Sequence, residues 1–255
     1  MIYLKMNKNI QVNAAIIIIG NEILSGRTQD TNSSTIALWL NSLGVKVQEV
    51  RIIPDIEEVI VKTINKVRKE NNYVFTTGGI GPTHDDITAK SISKTFNVKY
   101  EVNKEAYKIL ESYYKPGEFN EGRQKMAWTP SNAKLILNPT SGAPGFIVEN
   151  IFCLPGVPSI LKSMLGGLKN EISGGKPIIS HTINLRTVES EIAKPLTSVQ
   201  NSNKDVEIGS YPFFKAGKLG VSIVVRSENQ TKIDNCNSKI MEFVSQKKIE
   251  IIKDN

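Results

Sequence analysis

The sequence holds only two cysteines and two histidines in 255 residues. Cys153 and Cys236 make no metal-ligand spacing, which excludes a zinc finger, and nothing in the sequence asks for a disulfide between them. Cys153, in the apolar run IFCLPG, reads as a buried core residue. No apolar run approaches the ~18 residues of a membrane span. The N-terminal MIYLKMNKNIQVNAA lacks the apolar block and small-residue cleavage site of a signal peptide. A cytoplasmic protein with no membrane partner is expected. Three motifs are missing: the Walker A loop, the G-x-G-x-x-G fingerprint and the G-x-S-x-G elbow of serine hydrolases. Aromatic residues make up 7%, and none interleave with a basic run. The net charge of +7 is spread among alternating acids and bases. That pattern suits a solvated surface and argues against a nucleic-acid partner.

What is present alternates between two periodicities. AAIIIIGNE (14–22) reads as a fully buried strand ending at a glycine. DTNSSTIALWLNSLG reads as a helix, with Asp30, Thr31, Asn32 and Ser33 as cap candidates. Ile36, Leu38, Leu40 and Leu43 supply its contacts, and Gly44 stops it. VKVQEVRIIP is a second strand. A helix follows over 55–70, with Ile56, Val59, Ile60, Thr63, Ile64 and Val67 on one face. NYVFTTGG is a third strand, and DDITAKSISKTF a helix. Residues 103–123 read as a helical excursion. AKLILNP, GFIVEN and IFCLPG read as strands, and SILKSMLGGL as a helix. SGGKP (173–177) is a break. Beyond it the order strand, helix, strand, strand, helix fits a ferredoxin-like unit. The expected fold class is α/β: a three-layer, mostly parallel sheet over 13–172 and a small C-terminal α+β domain over 176–250.

Four loops collect the chemistry: GNEILSGRTQDTNS, TTGGIGPTHDD, NPTSGAPGF and LPGVPS. In a doubly wound sheet the strand ends face one crevice. Glycine lets backbone approach a ligand, and a helix start offers free N–H groups to an anion. A phosphate-bearing small molecule is the simplest common ligand. Asp85 and Asp86, just after the glycines, suit a helix cap or dipole partner. They also suit a divalent cation shared with phosphate oxygens, and Glu22 is a third acid for that role. Of the histidines, His84 lies in the loop and is read as solvated. His181 lies in a strand of the second domain and has no assigned role. Arg123 and Lys125 could neutralise phosphate and Trp128 could stack on a base; by spacing alone a helix with solvated charges and Trp128 in the core is the favoured reading.

Taken together, IIIIGNEILSGRTQDTNS, TTGGIGPTHDDIT, RQKMAWTP, NPTSGAPGF and LPGVPSILKSML resemble the molybdenum-cofactor-biosynthesis, or molybdopterin-binding, domain. GNEILSG, GGIGPTHDD and RQKMA are most similar to the branch of competence/damage-inducible protein A and the N-terminal domain of FAD synthase. IGSYPFF resembles the small domain that follows in those relatives. The resemblance implies a cleft for a molybdopterin-like or nucleotide ligand and metal-dependent (Mg, Mn or Co) hydrolysis of a nucleotide pyrophosphate such as ADP-ribose or FAD. The alternatives it implies are a non-catalytic molybdopterin-binding protein and a molybdopterin adenylyltransferase. Carried onto this chain, the ligand loops comprise Gly20, Asn21, Gly78, Gly79, Gly81, Pro82, Thr83, Arg123, Gly142, Pro144, Gly145, Pro155, Gly156 and Pro158. Asp86 and Lys125 would be catalytic, and Glu22, Asp85 and Asp86 would hold the metal. Relatives form homo-oligomers. The amidase domain of full-length relatives and the adenylyltransferase domain of FAD synthase are not matched, so neither activity is expected here.

Overall fold

The computed structural model describes residues 11–215 and 217–252. The reading of the first residues as lacking a leader therefore falls largely outside the described residues. The chain divides into two compact units, one ending at Gly175 and one beginning at Lys176.

The first unit opens with β1 (Asn13–Ile19), the short helix α1 (Asn21–Leu24), α2 (Asn32–Ser42), β2 (Lys46–Ile53) and α3 (Glu57–Glu70). β3 (Tyr73–Thr77), α4 (Thr88–Phe96), β4 (Tyr100–Val102), α5 (Lys104–Tyr113), α6 (Glu121–Lys125) and β5 (Trp128–Pro130) come next. β6 (Lys134–Ile136), β7 (Gly145–Val148), β8 (Ile151–Leu154), α7 (Pro158–Leu165) and a 3-10 turn (Gly166–Glu171) complete it. The sheet order is β2-β1-β3-β8-β7-β6. β2, β1, β3 and β8 run parallel, while β7 and β6 are antiparallel additions.

β1 is an inner strand buried on both faces, which is why its sequence after Asn13 is unbroken apolar, AAIIII. Ile16 and Ile18 pack with Ile36 and Leu40 of α2 and with Leu161 and Met164 of α7. Ile17 and Ile19 pack on the other face with Ile60 and Ile64 of α3 and Ile92 of α4. Phe75 stacks on Phe152 at 4.8 Å and meets the Trp39 ring edge-on at 5.9 Å. A satellite cluster around Ala106, Leu110 and Ala127 ties α5 to the segment that follows α6.

Some expectations need correction. Leu38 is 73% exposed and Ile56 47%, so neither belongs to a core-facing stripe. The β1 strand stops at Ile19, and Asn21 and Glu22 begin α1. α4 begins at Thr88, so Asp85 and Asp86 precede the helix and neither caps it; Ile87 occupies the cap position. The two-stranded β4–β5 pair is too short to show periodicity in sequence.

The second unit is β9 (Ile179–Arg186), α8 (Glu189–Asn201), β10 (Glu207–Lys215), β11 (Lys218–Ser227), α9 (Gln230–Gln246) and β12 (Glu250–Ile251). Its sheet is antiparallel, in the order β10-β11-β9-β12. This is the ferredoxin-like arrangement with a sixth element, β12, whose two residues left no readable pattern. Its core gathers Leu185, Ile192, Ile223, Val225, Ile233 and Ile240. His181 makes a ring-nitrogen contact of 3.1 Å with the Asn237 amide.

Candidate functional site

The parallel strands deliver their loops to one end of the sheet. Gly20 N–H donates to the Ile53 carbonyl at 3.1 Å, and Gly78 N–H donates to the Leu154 carbonyl at 3.1 Å. The backbone therefore stays in ladder register one residue past β1 and β3 before turning away. Between the loops lies a cleft of about 560 Å³, within the range of small-molecule sites.

The glycine pair after β3 is shaped by the protein itself. Gly78 has φ +103°, and a Cβ there would lie 2.1 Å from the Ile19 carbonyl oxygen. Gly79 has φ +67°, and its Cβ would lie 2.2 Å from Thr88 Oγ1. Thr88 is fully buried beneath the pair; its hydroxyl donates to Gly78 O at 3.0 Å and its N–H to Gly79 O at 2.9 Å. These glycines are needed for close packing against β1 and α4 before any ligand arrives. Among the described residues the amides of Gly79, Ile80 and Gly81 have no hydrogen-bond acceptor. These three consecutive backbone N–H groups, in a loop that lines the cleft, are candidate donors to an anion.

The loop then closes on itself. Thr83 N–H and Oγ1 both donate to Asp86 Oδ2, at 2.7 and 2.5 Å. Lys125 Nζ donates to Thr83 O, which ties α6 to the same loop.

Asp55, at the end of β2, was not singled out by any sequence motif. It lines the cleft with Glu22, Asp85 and Asp86. Its carboxylate accepts from Asn21 N–H at 2.9 Å. Burial raises its pKa, and repulsion from Glu22, Asp85 and Asp86 adds to the rise against the Asn21 hydrogen bond. Four carboxylates thus share one cleft. Among the described residues, however, no group of three or more His, Cys, Asp or Glu side chains is gathered closely enough to hold a metal alone.

The other walls are braced by asparagines that sequence reasoning passed over or read as cap residues. Asp30 Oδ1 accepts from the N–H groups of Asn32 and Ser33 and so caps α2. That frees the Asn32 side chain, whose Nδ2 donates to Thr77 Oγ1 at 2.9 Å and to Gly156 O at 2.7 Å. Thr77 Oγ1 in turn donates to Pro155 O at 2.9 Å. Asn138 folds the third loop: its Oδ1 accepts from Thr140 and Ser141 N–H, and its Nδ2 donates to Ala143 O. An asparagine inside a loop has no periodicity to betray it; only the capping geometry does.

The structure gathers Gly20, Glu22, Gly78, Gly79, Gly81, Pro82, Thr83, Asp85, Asp86, Pro144, Pro155, Gly156 and Pro158 around the cleft, as well as Asp55, Thr28, Asn138 and Ser141. Lys125 and Trp128 line a small cavity beside Asp86. Trp128 is 39% exposed and leans on Tyr100 at 5.3 Å, so it is not a core ring. Arg123 turns elsewhere: its guanidinium sits 4.1 Å over the Tyr114 ring and pairs with Glu118 at 3.5 Å. Gly142 makes room for Tyr113, and Gly145 for the Cys153 carbonyl. Asn21 meets the site through Asp55 alone, and His84 is exposed and outside the lining.

Residues 15–181 match a family model described as "Probable molybdopterin binding domain". The chain belongs to that family. A second model, "FAD synthase, middle domain", matches residues 177–253. A protein of Archaeoglobus fulgidus is 36% identical over 217 residues, covering 85% of this chain and 92% of that one. One of Sulfurisphaera tokodaii is 32% identical over 244 residues, covering 90% and 92%. Among solved structures, a CinA protein of unknown function from Thermoplasma acidophilum superposes with TM-score 0.59 at 29% identity. The match covers 62% of this chain and 96% of that one. The chain falls in the CinA-like branch of the family. No helix among the described residues is long and apolar enough to cross a membrane.

Proposed function

We propose that the cleft binds a phosphate-bearing pterin or nucleotide and hydrolyses a pyrophosphate linkage within it. The observation that carries this reading is the convergence of Glu22, Asp55, Asp85 and Asp86 on a cleft with unpaired amides at Gly79–Gly81. Carboxylates and phosphates repel, and the pKa of Asp55 is raised first by burial and further by repulsion from Glu22, Asp85 and Asp86. A Mg²⁺-type cation bound by one or two carboxylates and completed by substrate phosphates fits this donor set; a closed all-protein cage does not. Such a cation supplies charge neutralisation and a more acidic water.

The chain's own groups have separate tasks in this reading. The Gly79–Gly81 amides orient a phosphate and stabilise negative charge as it grows. Asp55, a stronger base than an ordinary aspartate, takes a proton from the attacking water. The new bond joins that water oxygen to phosphorus, and the bond from phosphorus to the bridging oxygen breaks. Lys125 and Asp86 hold the loop that positions both. Purified protein with Mg²⁺, Mn²⁺ or Co²⁺ should release AMP from ADP-ribose or FAD, and the Asp55→Asn variant should not. No AMP release across that panel sinks the hydrolytic reading.

A second reading has its own support: the cleft holds molybdopterin without cutting it. Asp86 is already used to brace Thr83, and the acids form no ready cage among the described residues. Pterin fluorescence that co-purifies with a protein inert toward all these substrates would select this reading.

A further inference from the structure

β2 is the outer strand of the six-stranded sheet and pairs with β1 alone among the described residues. It has eight residues and no proline. The other sheet edges are protected: β6 and β12 have three and two residues, and β10 carries Pro212. β2 also exposes apolar side chains, with Val50 at 48% and Ile52 at 43%.

The direction of its backbone follows from one hydrogen bond. Ile53 O accepts from Gly20 N–H, so Ile53 turns its polar groups inward. The β1–β2 register is regular from Glu49 to Ile53, so orientation alternates there with period two. Arg51 and Glu49 turn inward as well, and Ile52 and Val50 present their N–H and C=O to solvent. Val50 and Ile52 lie alongside Ile16 and Ile18. On the opposite face Glu49 and Arg51 pair with each other at 2.7 Å, both only partly buried.

Consider an antiparallel copy of this strand centred on Val50. The outward groups of Val50 meet those of the second copy's Val50 as a doubly hydrogen-bonded pair. Ile52 of each chain falls diagonal to Val50 of the other, on one face. Glu49 falls opposite Arg51 of the second copy, and Arg51 opposite its Glu49, in the closer non-hydrogen-bonded positions. Hydrogen bonds, apolar contacts and charges are all satisfied in that one register. Self-complementarity about a point is what a twofold interface requires. We propose that β2 pairs antiparallel with β2 of a second copy of this chain across a twofold axis at Val50, joining the two sheets edge to edge.

Sedimentation velocity on the full chain tests this. The wild type should sediment as a dimer. E49R and R51E each set two like-charge pairs across the axis and should weaken association by roughly tenfold or more. Mixed together, the two variants recreate two opposite-charge pairs and should form the dimer again. An effect confined to one chain cannot produce rescue on mixing. V50C should give a disulfide-linked dimer on mild oxidation, because hydrogen-bonded pairs sit about 5.5 Å apart at Cα, within disulfide reach. The native Cys153 and Cys236 are buried and stay out of that reaction. A monomeric wild type overturns the proposal, whether or not its edge captures a strand from another protein. So does a dimer unchanged by both single variants, or a mixture that stays monomeric.

Discussion

Replacing Gly78 with alanine separates two reasons for a glycine in this loop. One is room for a ligand. The other, which the structure favours, is room for β1. Alanine at φ +103° carries a backbone penalty of about 1–3 kcal/mol. Its methyl would also sit 2.1 Å from Ile19 O, a backbone atom of the inner strand β1. Relieving that overlap needs a backbone shift costing about another 1–3 kcal/mol. The expected loss is therefore about 2–6 kcal/mol, a large share of a typical domain's stability. Both tryptophans, Trp39 and Trp128, lie in the first unit, so fluorescence during urea unfolding reports that unit alone. Gly26→Ala is the control: its φ is +72°, with nothing within 4 Å of the added carbon. It should cost only the conformational part, about 1–2 kcal/mol. Equal midpoint shifts for the two variants would refute the packing argument. So would a Gly78→Ala protein as stable as wild type.

Asn32→Ala removes the donor to the Gly156 carbonyl and the Thr77 hydroxyl and should cost about 1–3 kcal/mol by the same assay; a change under half of that would show the bracing is dispensable. Gly156 is different again: a Cβ there makes only ordinary contact, 3.5 Å from Gly78 Cα. Gly156→Ala should leave stability within about 0.5 kcal/mol while narrowing the cleft, read as weakened ADP-ribose binding in calorimetry. The Asp55 carboxyl has a folded pKa raised above the ordinary 3.8. The folded state therefore binds its proton more tightly, and stability falls as pH rises from 3.8 through the raised value. Asp55→Asn should accordingly be more stable than wild type at pH 7, with the gain vanishing below the ordinary carboxylate pKa. A gain that is the same at both pH values would remove the electrostatic cause. Added Mg²⁺ should narrow the gap at pH 7 by offsetting the same repulsion.

The parallel part of the sheet was legible because burial writes itself as composition. A strand covered on both faces, such as β1, must be apolar at consecutive positions, and α3 must repeat apolar residues along one stripe. The glycine loops were legible because few residues tolerate their turns. Asp55 was not: it is one acid after a strand, and only the fold reveals that it shares a cleft with Glu22, Asp85 and Asp86. Asn32 and Asn138 escaped for the same reason, since a side chain that bonds across 124 residues, as Asn32 does to Gly156, leaves no local pattern. Arg123 shows the reverse error. Its position in RQKMA suggested a phosphate contact, yet the nearby Tyr114 ring and Glu118 satisfy it locally.

The Asn32–Thr77–Pro155 chain of hydrogen bonds links three loops that are remote in sequence. A ligand entering this cleft meets walls that are already latched to one another, so little backbone freedom remains for it to remove. Binding should then carry a small ordering penalty. Amide exchange at Thr77, inside the β3 ladder, should be slow in the empty protein and change little when the cleft fills.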